Sequence, residues 1–132
     1  MYSPKTYMTM DVLADLLKEF EWPAPYQLED WLPDGIAVVF PKCQLFFSEG
    51  FESHMSLKFL AESPGLGETV NLHDLMVSLG GLHTPGLDET LLPQASLDKV
   101  KIGVRNLCKI VLTHFRISVL GDFSWYPAYK RK

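Results

Sequence analysis

Glu49, Glu52 and His54 crowd into one short stretch, and two carboxylates beside an imidazole are residue types that general acid–base chemistry uses. The stretch is LFFSEGFESHMSLKFL, residues 45–60, where four phenylalanines and three serines surround a single glycine. The physical objection to an active site is exposure. A hairpin tip is normally wet, and a wet carboxylate keeps an ordinary acidity unless something covers it. A turn whose charges keep a hydrophobic hairpin soluble and its edge unpaired accounts for the same residues.

No other constellation does better. The histidines are His54, His73, His83 and His114, and no two of them stand three or four apart. The chain has no CxxC and no HExxH, and grouping His73 and Asp74 with His83 is unspecific, so no metal is expected. No GxSxG elbow is present, and Cys43 and Cys108 lie in apolar surroundings. They are expected as free buried thiols rather than a disulfide, which favours a reducing cytoplasm. SPGLGETVNLHD brings Gly65 and Gly67 between strand and helix but lacks the third glycine or the lysine of a phosphate cradle. No catalytic set and no cofactor is expected.

The elements that position these residues follow from periodicity. TMDVLADLLKEFEW (9–22) predicts an amphipathic helix: Thr9 caps it, and Val12, Leu13, Leu16, Leu17 and Phe20 share one arc. Asp11, Asp15 and Glu19 occupy the opposite arc, and Pro23 stops the helix. PAPYQLEDWLPDG (23–35) reads as a connector docked by Tyr26, Leu28 and Trp31, with a turn at Pro33-Asp34-Gly35. IAVVF (36–40), CQLFFSE (43–49) and HMSLKFL (54–60) predict a meander of three antiparallel strands, with Gly50 supplying the positive φ of the second hairpin. Asn71 caps a short helix at 72–79, which Gly80-Gly81 ends. Residues 80–95 show no periodicity, and so long a connection is functional or mobile.

The strongest pattern is a helix over 96–115, whose stripe runs through Leu97, Val100, Val104, Leu107, Cys108, Val111 and Phe115. Ile102 and Ile110 lie off that stripe, so the helix is covered on more than one side or exposes apolar surface. Residues 116–120 read equally as a short strand or a fraying helix end, which Gly121 breaks. The fold class expected is α+β: one domain over 1–132, an antiparallel sheet of three to four strands, an N-terminal helix and a long C-terminal helix.

Charge narrows the partners. Residues 1–62 hold ten acids and four bases, whereas residues 63–132 hold six acids and eight bases. An acidic half repels the phosphates of a nucleic acid and attracts a basic protein. No apolar run approaches the roughly 20 residues that span a bilayer, and the start has no basic segment followed by an apolar one, so neither membrane nor signal peptide is expected.

Three stretches, PYQLEDWLPDGIAVVF, FFSEGFESHMSLKFL and LGDFSWYPAY, together resemble small bacterial immunity-type proteins, which are encoded beside polymorphic toxins and bind them. The resemblance implies a cytoplasmic, acidic, non-enzymatic protein that blocks a toxin by surface contact. It carries over no binding residue, because no motif matches position by position. The expected function is therefore protein binding, with contact residues Asp11, Asp15, Glu19, Glu29, Asp30, Trp31, Glu49, Phe51 and Glu52. Two alternatives stand beside it. One is a small-molecule binder or small enzyme with a pocket between sheet and helices, gated by 80–95. The other is a homodimer formed through a sheet edge or through Ile102 and Ile110.

Overall fold

The structure, a computed structural model, describes residues 7–50, 53–61, 69–78 and 96–130. The expectations for residues 80–95, for Phe51 and Glu52, and for the end of the short helix at Leu79 lie outside those residues.

Helix α1 runs Met10–Leu17, and the Thr9 side chain accepts a hydrogen bond from the Val12 N–H. It ends well before Pro23. The indole Nε1–H of Trp22 donates to the Leu17 carbonyl at 3.0 Å, sharing that acceptor with the Phe20 N–H and drawing the chain back. Tighter bonds from Glu19 to Leu16 and from Phe20 to Leu17 close the turn.

The sheet has five strands in the order β1-β2-β3-β4-β5, one or two more than the sequence suggests. The first addition is β1 (Gln27–Trp31), which pairs with β2 (Gly35–Val39) inside what reads as a connector. The other is the two-residue β5 (Val70–Asn71), on the far side of β3 (Gln44–Glu49) and β4 (Met55–Leu60). All pairings are antiparallel.

Register decides which side chains form the core. Ile36 pairs with Phe47, Val38 with Leu45, Leu45 with Phe59 and Phe59 with Val70, so these residues share one face, and all of them are buried. Helix α2 (Leu72–Ser78) begins after Asn71, whose side chain accepts from the His73 N–H, and it packs on β4 and β5. Helix α3 (Leu97–His114) is capped by Ser96 and buries Val100, Val104, Leu107, Cys108, Ile110 and Val111. The burial of Ile110 shows that α3 is covered beyond its main stripe.

Gly103 marks the point where α3 crosses β4. A Cβ there would sit 2.9 Å from both Cβ and Cγ of Met55, so glycine sets how closely helix and sheet approach. Beyond α3 the chain turns into a short α4 (Arg116–Val119), so residues 116–119 are helical rather than a strand and Leu120 caps them. Gly121 follows with φ 99°, its Cα hydrogens against the Lys42 stem. The closing α5 (Tyr126–Lys130) follows Trp125, whose ring meets Phe59 and Phe115 and whose indole donates to the buried Ser118 hydroxyl at 2.8 Å.

Candidate docking surface

The sequence Gln-Leu-Glu-Asp-Trp puts a polar or aromatic residue at every second position, and the strand it forms is mostly exposed. Alternation sends Leu28 and Asp30 to the helix-covered face, paired with Val38 and Ile36. Glu29 and Trp31 go to the outer face. There the indole Nε1–H of Trp31 donates to Glu29 Oε1 at 3.3 Å, which steadies the ring. Trp31 remains 57% exposed and its neighbour Leu32 37% exposed.

The turn is built by local polar bonds. Asp30 Oδ1 accepts from the Leu32 N–H at 2.9 Å, the Leu32–Pro33 bond is cis, and the Asp34 N–H donates to the Trp31 carbonyl at 2.8 Å. Glu29, Asp30 and Asp34 are all exposed, and among the described residues none has a cation within ion-pair distance. A large aromatic side chain thus stands in water bonded to Glu29, on a hairpin that also exposes Asp30 and Asp34.

Other expected contact residues have different roles. Asp11 and Asp15 are exposed on α1, a helix that packs beside β1 and α3. Glu19 is engaged by Arg105 of α3, whose hydrogen bond and charge lower its pKa below the ordinary carboxylate value. Glu49 lies at the same end of the sheet as the β1–β2 turn but is turned inward. Its carboxylate accepts the Tyr7 N–H at 2.8 and 3.0 Å, the Met8 N–H at 2.7 Å and the Ser53 hydroxyl at 2.8 Å. The wet tip inferred from sequence does not describe Glu49: its lone pairs are filled by the chain entering α1. The expected positive φ falls on Ser53, at 60°, and not on Gly50, because the Ser53 hydroxyl recovers a bond to Glu49 in that conformation.

The interior offers little chemistry among the described residues. Its buried polar residues are Ser53 and Ser118, and the thiols of Cys43 and Cys108 are each pushed up to about 12 by burial, far from a reactive thiolate. His54, His73 and His114 are exposed, and no three or more His, Cys, Asp or Glu among the described residues converge as a metal site. No helix among them is long and apolar enough to cross a membrane.

Sequence reasoning missed two features. The Glu49 clasp on Tyr7 and Met8 has no local signature, since those two donors lie about forty positions away. Strand β1 left a usable sign: a Pro-Asp-Gly turn immediately before a strand calls for a partner strand on its other side. No protein-family profile matches this chain, and neither does any curated protein or solved structure.

Proposed function

We propose that this chain is a non-enzymatic protein-interaction domain of the inhibitor or immunity kind, and that it docks a basic protein through the β1–β2 hairpin. The observation that carries the reading is Trp31, 57% exposed and bonded to Glu29, on a hairpin that also exposes the carboxylates of Asp30 and Asp34. Leaving an indole in water forfeits burial of one of the largest apolar side chains, a loss that a partner's pocket recovers. Aromatic anchors ringed by charge dominate the binding energy of many interfaces, and unpaired carboxylates steer a cationic partner toward the anchor. The acidic face of α1, through Asp11 and Asp15, extends the same field. The buried neutral thiols suit a cytoplasmic setting, and a toxin domain is the partner the reading favours.

The test is capture from the source cell with the wild-type chain, W31A, and the double charge reversal E29K/D30K. A basic protein retained by the wild type and lost by both variants, with unchanged thermal unfolding, supports the hairpin. Equal capture by all three removes it. Glu49 is unsuited to this test, because reversing its charge would break the clasp on Tyr7 and Met8.

A further inference from the structure

We infer that the partner binds by strand addition: the edge of β1 that no described strand pairs takes up an extended basic segment. The inference rests on the docking role proposed above and specifies how that surface is read.

Strand β1 ends the sheet, and its five residues form the longer of the two edges, since β5 has two. The Trp31 carbonyl accepts from the Asp34 N–H, so the Trp31 main chain faces the hairpin partner. The antiparallel period of two turns Glu29 and Gln27 the same way, and directs the N–H and C=O of Leu28 and Asp30 outward. Among the described residues only β2 and the turn residue Asp34 bond the β1 main chain. Strand edges are usually blunted by charged side chains, lysine above all, by proline or by a bulge; β1 has no lysine or proline, and its charges are the acids Glu29 and Asp30, which protect it against an acidic strand and leave it open to a basic one.

Charge selects the occupant. A second copy pairing antiparallel about the centre of β1 would set Glu29 opposite Glu29, and a parallel copy would align both acids with themselves. Like charges directly across a ladder are destabilising. Because Glu29 and Asp30 point to opposite faces, the complement is two adjacent basic residues flanked by apolar ones that meet Leu28 and Trp31. Main-chain bonds would supply affinity, and the basic pair would supply choice of partner.

The probe is a capped hexapeptide of threonine, valine, arginine, lysine, valine and threonine, titrated against the intact chain by calorimetry. Two analogues are N-methylated at alternate amides, one in each register, which removes outward donors but keeps charge. The expected result is saturable binding of the parent, with the analogue methylated on the pairing register weaker by at least about tenfold, the scale of a lost buried hydrogen bond. D30P removes an outward N–H where an edge strand tolerates proline, and is expected to match that loss, while D30N keeps most of the affinity. Both analogues binding as tightly as the parent would overturn strand addition, and so would no binding of the parent at millimolar concentration. If either accompanied partner capture that still depended on Trp31, the docking role would stand without it. Parent binding unchanged by E29K/D30K and W31A would overturn both. Concentration-dependent dimerisation that competes with the peptide would assign the edge to a second copy and overturn the inference. The N-methylated arm uses the wild-type chain, so it decides the matter even if D30P misfolds.

Discussion

Arg105 on α3 and Glu19 beyond α1 are joined by two parallel hydrogen bonds of 2.9 Å, Nε to Oε1 and Nη2 to Oε2, across 86 residues of sequence. The fork fixes α1 against α3, although the two side chains remain 41% and 43% exposed. Water and salt screen such a pair, so R105Q is expected to lower stability only slightly, and less in high salt than in low. The sign with pH is set by the lowered pKa of Glu19, caused first by the hydrogen bond from Arg105. The contribution is present above the ordinary carboxylate range and is lost as pH falls through the lowered value. Urea unfolding of both proteins at two salt concentrations, from neutral to acidic pH, should show the curves converging in acid.

Glu49 is expected to behave as a structural clasp. In E49Q an amide N–H₂ replaces one acceptor oxygen and faces main-chain donors, so a loss of about 1–3 kcal/mol follows. An exposed carboxylate of no structural role would change stability by only about 0.5 kcal/mol. Chemical denaturation separates the two. Hydrogen exchange at Met8 should accelerate in the variant even where the sheet amides stay protected.

Gly103 should resist the substitution that helix propensity favours. Alanine gains up to about 1 kcal/mol of intrinsic preference inside a helix. Here its Cβ would fall 2.9 Å from the Met55 stem, too close for either side to keep its place. Overpacking costs about 1–3 kcal/mol, so G103A is expected to be neutral to destabilising, and G103V clearly destabilising. A raised thermal midpoint for G103A would refute the close crossing.

Cys43 and Cys108 are expected to react with a thiol reagent only as fast as the protein opens. Burial raises each to about 12 from an ordinary 9.0, so the folded protein holds both as neutral thiols at ordinary pH. The sign follows: the unfolded chain releases these protons first, so the folded state loses stability as pH rises above 9.0 toward the raised value. C43A or C108A should flatten that alkaline decline, and rapid labelling of the native protein would contradict the burial.

Much of this architecture was legible because apolar spacing is a strong local signal. The stripe through Val100, Val104, Leu107 and Val111 and the alternation of Met55, Leu57 and Phe59 each dictate one buried face, and the structure buries them. Thr9 was legible as a cap for the same reason: its partner is three residues away. What escaped was non-local. QLEDW has one apolar residue facing the core, and it is a strand only because β2 lies beside it. The inward turn of Glu49 depends on Tyr7 and Met8 arriving from far away in sequence. In the proposed site, Trp31 was singled out as a docked anchor and as a contact residue at once, and only its exposure distinguishes the two.

The meander has a consequence for biosynthesis. Each strand pairs with its immediate neighbours in the chain, so no ladder waits for a distant segment. Closing such short loops costs little entropy, and β1 to β4 can zip in order while the ribosome is still translating the rest. The apolar face of this nascent ribbon is covered only in part, by α1 at β1 and α2 at β4 and β5, until α3 emerges, which makes the interval before α3 the moment when the newborn chain most needs a chaperone.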